Sequence, residues 1–116
     1  MPVPVQIVFH EIDHSEALEN HIREKSIKLE SFHPKLMSAH VSVEQPHRHK
    51  HQGKLFNVRI LLHVPGGELV VNRDQHQDVY VALRDAFDAA RRQLEDHARK
   101  MRGDVKVHEG RGTEAK

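Results

Sequence analysis

Residues 54–72 read KLFNVRILLHVPGGELVVN, and they contain the clearest structural signal in the chain. Apolar residues alternate with residues of the opposite face along the first half of this stretch, and the inward set is Phe56, Val58, Ile60 and Leu62. A period of two is typical of a half-buried strand. Pro65-Gly66-Gly67 supplies a turn, and a second apolar run follows at once. The stretch therefore predicts an antiparallel hairpin with strands over 54–64 and 68–72.

A long amphipathic helix is predicted immediately after the hairpin, over residues 78–102. Its buried stripe has the three- and four-residue spacing of a helix face and consists of Leu83, Phe87, Ala90, Leu94 and Met101. Residues 103–116 contain three glycines and few apolar side chains. We therefore expect them to form a flexible C-terminal tail.

The first half of the chain predicts a strand, a helix and a second strand. Apolar residues alternate over 3–9 and again over 39–44, whereas Leu18, Ile22 and Leu29 recur at helical spacing between these segments. Asp13 or Ser15 is the expected N-cap of this helix. The helix is expected to end near residue 31, because the residue before Pro34 avoids the helical region.

The predicted order of elements is therefore strand, helix, strand, strand, strand, helix. Two amphipathic helices can cover one face of a four-stranded sheet and leave the other face exposed. We expect an α+β fold, a two-layer βαβββα sandwich in which both helices pack on one face of the sheet. Residues 1–102 are expected to form a single domain.

Composition and motifs exclude several classes of function. The 116 residues contain no cysteine, which excludes a disulfide scaffold and a thiolate zinc site. The sequence has no G-x-S-x-G, H-E-x-x-H or Walker motif, so we predict no enzyme, no cofactor and no small-molecule substrate. Apolar runs fall short of the roughly 18 residues of a membrane span, and the N-terminus does not resemble a signal peptide. A cytoplasmic protein without membrane contact is expected.

Basic residues are the candidate functional residues. The overall charge is nearly balanced, with 18 Lys and Arg against 17 Asp and Glu, so binding of a polyanion requires local clusters. Such clusters lie on the flanks of both helices and in segment 33–63, where guanidinium and ammonium groups could bind phosphate oxygens. The candidates for RNA binding are Lys25, Lys28, Lys35, Arg48, Lys50, Lys54, Arg84, Arg91, Arg92 and Arg99. The alternative is a solvated, salt-bridged helix surface, because Asp88 and Glu95 fall on the same side as the arginines.

Histidines and aromatic residues are the other side chains that could form a binding site, for a metal ion or for nucleic-acid bases. His47, His49 and His51 alternate in a polar segment and could in principle bind zinc, copper or nickel. Arg48 and Lys50 would repel a cation there, so these histidines are only weak metal candidates. Four of the five aromatic residues occupy expected core positions, and an aromatic platform for stacking bases is therefore not predicted.

Both helices resemble those of the ribosome hibernation-promoting factor and ribosome-associated inhibitor family, also called sigma modulation proteins. In the first helix the resemblance lies in Ala17-Leu18, Ile22, Lys25, Lys28-Leu29-Glu30 and Phe32. In the second it lies in Asp78-Val79-Tyr80-Val81-Ala82-Leu83 and in Arg92-Gln93-Leu94 followed by His97. Gly66-Gly67-Glu68 stands where the family has its hairpin. The likeness extends from residue 3 to about 102 and has the same βαβββα order.

The resemblance implies a non-enzymatic partner of the small ribosomal subunit. Proteins of this family occupy the channel for messenger and transfer RNA near the decoding region, contact ribosomal RNA, block translation and preserve idle ribosomes under stress or in stationary phase. Lys25, Lys28 and Arg92 match basic positions of the family. At three positions where relatives often have lysine, this chain has another residue: Ala89, Asp96 and Ala98. The resemblance also implies that the protein binds the ribosome as a monomer. A general double-stranded RNA-binding module and a metal-binding stress protein with a histidine loop are the alternatives.

Overall fold

A computed structural model of the chain describes residues 3–45 and 55–102. Its elements are β1 (Val5–His10), α1 (Glu16–Phe32), β2 (Ser38–Glu44), β3 (Phe56–Val64), β4 (Gly67–His76) and α2 (Val79–Arg102). The four strands form one sheet in the order β1-β2-β3-β4. β1 runs parallel to β2, and the other two pairs are antiparallel. This confirms the predicted α+β fold with a βαβββα order.

The β3–β4 hairpin is confirmed, although its second strand is longer than predicted. Val64 pairs with Gly67 across a two-residue turn, and Gly66 has a φ of 92°, a conformation that glycine adopts without a steric cost. β4 continues beyond residue 72 to His76, which pairs with Phe56. The register shifts between Phe56 and Val58, so an irregularity in the ladder lets the polar end of β4 remain paired.

The core lies between one face of the sheet and the two helices. Side chains with less than 2% exposure include Val41, Val43, Ile60 and Leu62 from the sheet, and Ile22 and Leu83 from the helices. Ala86 and Ala90 of α2 are fully buried, which allows the helix to approach the sheet closely. On the opposite face Arg59 and Asn72 are exposed, as expected for a sheet that is covered on one side only.

Hydrogen bonds at the helix ends identify the residues that start and stop each helix. Ser15, and not Asp13, is the N-cap of α1, because its Oγ accepts a hydrogen bond from the Leu18 backbone N–H at 3.2 Å. Asp78 does the same for α2 through Oδ1, which accepts from the N–H of Tyr80 at 2.8 Å. α1 ends at Phe32, and His33 follows as its C-cap.

Two residues of the predicted buried sets, Met101 and Phe56, lie elsewhere, and the expectation that four of the five aromatic residues lie in the core is wrong. Met101 is 61% exposed, because the last turn of α2 extends to the β3–β4 turn. Its Sδ and Cε would both lie 3.7 Å from a Cβ placed on Gly66. Phe56 is only partly buried at the start of β3. Phe32 is 53% exposed at the end of α1, and Tyr80 at the start of α2 is also exposed.

Candidate nucleic-acid interface

α1 and α2 lie side by side and run in the same direction. Near the start of both helices, the rings of His21 and Tyr80 meet edge to face with their centroids 5.0 Å apart. Eleven residues later on each helix, Cζ of Arg91 lies 4.0 Å from the centroid of the Phe32 ring. Equal steps in the same direction mean that the helices are parallel and aligned over about 16 Å, at 1.5 Å per residue. We call the surface between these two contacts the interhelix groove.

The interhelix groove brings together four of the ten candidate residues. Positions 21, 25, 28 and 32 of α1 follow one another at steps of four, three and four, and therefore share one side of the helix. Lys25 and Lys28 thus lie between the two ring contacts. On α2, Arg84 and Arg91 follow Tyr80 at the equivalent steps. Lys25 and Lys28 also act on His21: burial is the main cause that lowers the pKa of this imidazole, and the two positive charges lower it further.

The remaining candidates lie outside the groove. Arg92 and Arg99 are placed about 100° further round α2 and are exposed on its outer side. Lys35 is exposed in the loop that follows α1. Arg48, Lys50 and Lys54 lie outside the described residues, as do the metal candidates His47, His49 and His51. Within 3–45 and 55–102, no group of three or more His, Asp or Glu side chains could hold a metal ion.

Three of the candidate arginines have carboxylate partners, whereas the candidate lysines of the described ranges have none. Arg91 Nε lies 3.3 Å from Glu95 Oε2, and Arg84 Nε lies 3.9 Å from Asp85 Oδ1. Arg99 pairs with Asp96. Four other candidates have no carboxylate within 4.0 Å among the described residues: Lys25, Lys28, Lys35 and Arg92. The salt-bridged alternative therefore applies to three arginines and not to the lysines.

These ion pairs leave the arginines available to a stronger anion. The side chains of Arg84, Arg91 and Arg99 are 61%, 48% and 49% exposed, respectively. Exposed pairs of this kind contribute roughly 0–1 kcal/mol. A phosphate that approaches the groove can therefore replace a carboxylate at little cost, and the guanidinium group offers it a two-pronged set of donors.

A cleft of about 460 Å³ opens beyond Phe32, at the C-terminal end of both helices. It is lined by residues of α1 and its following loop, of the β3–β4 turn, and of α2: Phe32, His33, Pro34, Lys35, Leu36, Val64, Pro65, Leu94, His97, Ala98 and Met101. One ring nitrogen of His97 lies 3.0 Å from the carbonyl oxygen of Pro65. Nε2 of His33 is buried and has no hydrogen-bond partner within the described part of the chain. Burial is the main cause that lowers the pKa of His33.

Sequence reasoning missed the exposed aromatic residues of this surface. Four of the five aromatic residues were expected in the core, but Phe32 and Tyr80 are both exposed. A signal for the exposure of Phe32 was present, since the core stripe of α1 is Leu18, Ile22, Ser26 and Leu29. Phe32 instead continues the stripe of His21, Lys25 and Lys28 on the flank of the helix.

The exposed sheet face differs from the helix side in its charge. A shallow polar depression there is lined by His10, Ser42, Glu44, Asn57, Val58, Arg59, Asn72 and Asp74. Arg59 is accompanied there by the carboxylates of Glu44 and Asp74, so the residues that line this depression contain no cluster of positive charge. No helix within the described residues is long and apolar enough to cross a membrane.

Comparisons with known proteins agree with the fold. The family described as "Sigma 54 modulation protein / S30EA ribosomal protein" matches residues 5–102. A ribosome hibernation promoting factor of Azotobacter vinelandii is 32% identical over 99 residues, which cover 84% of this chain and 84% of the relative. A protein of the same name from Pseudomonas putida is 31% identical over 97 residues, with 84% and 88% covered.

Two solved structures share the architecture. The N-terminal domain of Thermus thermophilus Protein Y has a TM-score of 0.68 at 18% identity and covers 84% of this chain and 99% of that chain. A ribosomal subunit interface protein from Coxiella burnetii has a TM-score of 0.67 at 15% identity, with 83% and 98% covered. At these identities the likeness concerns the fold.

Proposed function

Because the chain belongs to the sigma 54 modulation protein / S30EA ribosomal protein family, we propose that it is a ribosome-associated hibernation factor. It binds the small ribosomal subunit near the decoding region, in the channel for messenger and transfer RNA, through contacts with ribosomal RNA. Bound there, it inhibits translation and preserves idle ribosomes under stress or in stationary phase. Its role is to bind and not to catalyse a reaction.

The observation that carries this proposal is the set of four cations in the interhelix groove. Lys25 and Lys28 have no carboxylate partner in the described ranges, and Arg84 and Arg91 have only exposed ones. A groove of about 16 Å can accompany about five phosphates of one strand, at an axial spacing of roughly 3.4 Å. Arg92 and Arg99 on the outer side of α2, and Lys35 beyond α1, would add further phosphate contacts.

The salt dependence of ribosome binding tests the proposal. Each lysine–phosphate contact releases counterions and contributes roughly 0.7–0.9 to the slope of log K against log salt concentration. The double variant Lys25→Gln/Lys28→Gln should bind small subunits more weakly at low salt, and its slope should be smaller by about 1.4–1.8. Sedimentation with purified small subunits over a series of KCl concentrations measures both quantities.

Arg59→Gln/Lys100→Gln is the matched control. It removes the same two charges from exposed positions, one on the uncovered sheet face and one on the side of α2 away from the groove. Its slope should remain close to that of the unmodified protein. If both double variants lose affinity equally, net charge and not the groove directs binding. If the unmodified protein does not sediment with small subunits at low salt, the proposal is wrong. If duplex RNA competes as well as subunits do, the general double-stranded RNA module is favoured.

A further inference from the structure

Phe32 occupies the junction between the interhelix groove and the cleft beyond it. Its side chain is 53% exposed, although contact between an apolar ring and water is unfavourable in free energy. The guanidinium group of Arg91 lies over its ring at 4.0 Å, and the ring also forms part of the cleft wall. A strand of RNA that follows the cations of the groove would therefore reach an aromatic ring next.

The walls of the cleft are apolar and its ionisable groups are basic. Its volume of about 460 Å³ falls within the roughly 300–1,000 Å³ of pockets that hold small ligands. Leu36, Val64 and Leu94 contribute aliphatic surface. Lys35 adds an exposed ammonium group that has no carboxylate partner in the described ranges, and none of the lining residues is acidic.

We propose that this cleft binds one unstacked nucleobase of the RNA strand that lies in the interhelix groove. The inference rests on the proposed function and assigns the cleft to that same RNA. A nucleobase is planar and has apolar faces, so it can stack on Phe32, while Lys35 and Arg91 bind the phosphates on either side of it. An apolar protein segment would fill the cleft without using these two cations, and for this reason the charges favour a nucleotide.

His33 also lines the cleft. Its Nε2 is buried without a hydrogen-bond partner within the described part of the chain, and burial of an unpaired polar atom costs free energy. The lowered pKa of His33 keeps its ring neutral near pH 7. A neutral imidazole has one donor and one acceptor nitrogen, so His33 adds polarity but no positive charge to the wall of the cleft.

A series of substitutions at Phe32 tests the proposal with purified small subunits. Base–aromatic stacking corresponds to an affinity difference of about 5- to 150-fold. Phe32→Leu and Phe32→Ala should both lose affinity by this factor, because neither residue has an aromatic face, whereas Phe32→Tyr should bind like the unmodified protein. The salt slope should be the same in all three variants, since stacking releases no counterions. Circular dichroism before each titration checks that the variants are folded.

The leucine variant identifies the occupant of the cleft. If Phe32→Leu binds like the unmodified protein and only Phe32→Ala loses affinity, an apolar protein contact occupies the cleft and the proposal is wrong. It is equally wrong if all three variants bind alike. A photoreactive benzoyl-phenylalanine at position 32 should cross-link to ribosomal RNA, and a cross-link only to a ribosomal protein would contradict a nucleobase there.

A short synthetic single-stranded RNA separates this proposal from the proposed function. Its comparison strand carries abasic positions in place of bases. Discrimination between the two strands by the unmodified protein, but not by Phe32→Leu, would support the cleft even if small subunits were not bound. Small-subunit binding that is insensitive to Phe32→Leu would overturn the cleft and leave the ribosomal role intact.

Discussion

His21 lies near the start of the interhelix groove, and its surroundings disfavour its protonated form. Its Nε2 is buried without a partner among the described residues, and the Tyr80 ring lies against it. Burial lowers its pKa, the nearby charges of Lys25 and Lys28 lower it further, and Glu24 partly offsets them. The groove therefore holds this imidazole in its neutral form.

The pKa of His21 predicts a pH dependence of stability. At pH 7.5 the imidazole is neutral in the folded and the unfolded chain. As the pH falls below about 6.5, the unfolded chain takes up a proton that the folded chain resists, so this residue favours unfolding. His21→Gln should therefore lose less stability than the unmodified protein between pH 7.5 and 5.5. Urea unfolding followed by circular dichroism measures the difference. Asn20→Gln, an exposed and non-titrating change on the same helix, should follow the unmodified protein, and parallel curves for His21→Gln would contradict the argument.

At the scale of single residues, the sequence predicts which charged side chains share one side of a helix more reliably than it predicts which apolar side chains are exposed. The stripe of Lys25 and Lys28 could be predicted because helical spacing fixes which residues share a side. The same spacing could have predicted the exposure of Phe32, which continues that stripe. It could not predict the exposure of Met101, because Met101 follows the spacing of the buried residues of α2. Phe32 lies at the last residue of α1, and Met101 lies in the last turn of α2.

The caps of both helices are short side chains that accept backbone hydrogen bonds. Ser15 caps the N-terminus of α1, and Asp78 caps the N-terminus of α2. Because an N-cap satisfies an N–H that has no partner within the helix, each contributes to the position at which its helix starts. The alignment of the interhelix groove depends on both starts.

Removal of the α1 cap should destabilise the protein without altering its surface charge. Ser15→Ala should lower the free energy of unfolding by about 1 kcal/mol, within the usual range of roughly 0.5–2 kcal/mol for such caps. Urea unfolding at pH 7.5 measures it. Ser31→Ala, at an exposed position in the last turn of the same helix, should change stability by less than about 0.5 kcal/mol. Equal effects of the two changes would mean that the Ser15 hydrogen bond contributes nothing.

Among the elements, hydrophobic alternation located every strand but did not give the full length of β4. The pattern stops at residue 72, where Asn72, Arg73 and Asp74 follow one another. Their backbone nevertheless pairs with β3 up to His76. A strand at the edge of a sheet that is covered on one side only can carry polar residues and still remain hydrogen-bonded, so a signal based on burial ends too early.

At the scale of the whole molecule, stability comes from one face of the sheet. Val41 lies at the centre of β2 and is fully buried. Val70 of β4 is 40% exposed on the uncovered face. The same residue type therefore occurs in both environments of one sheet, and this allows a direct comparison of the two faces.

Truncation of these two valines should have very different costs. Val41→Ala removes two buried methyl groups and should lower the free energy of unfolding by roughly 2–3 kcal/mol, a large part of the 5–15 kcal/mol that is typical of a small domain. Val70→Ala should cost less than about 1 kcal/mol. Urea midpoints with an unchanged slope measure both effects. A large loss for Val70→Ala would indicate that the uncovered face is buried in solution, for instance by a second copy of the chain.

The architecture as a whole follows from the sequence, whereas the way in which the helices meet does not. The order of elements and the coverage of one face could be predicted from periodicity and from the hairpin at Pro65-Gly66-Gly67. The alignment that sets Tyr80 beside His21 and Arg91 beside Phe32 could not. The alignment of the two helices depends on the strand order and on the angle at which each helix crosses the sheet. Neither can be predicted from the spacing of residues within one element. RNA binding remains a prediction for all ten candidate residues, and Arg48, Lys50 and Lys54 also lie outside the described residues.

Because α1 and α2 run in the same direction, their dipoles add, and the two ends of the interhelix groove differ in electrostatic potential. Two helices of opposite direction would cancel each other's dipoles and look much alike from either end. Here the positive ends of both dipoles lie on the side of His21 and Tyr80. The negative end of α1 lies at Phe32, and that of α2 lies about 16 Å further on, at the end of the helix. A polymer with distinct head and tail ends would therefore meet a different electric field in each of its two possible directions, and one direction is lower in energy.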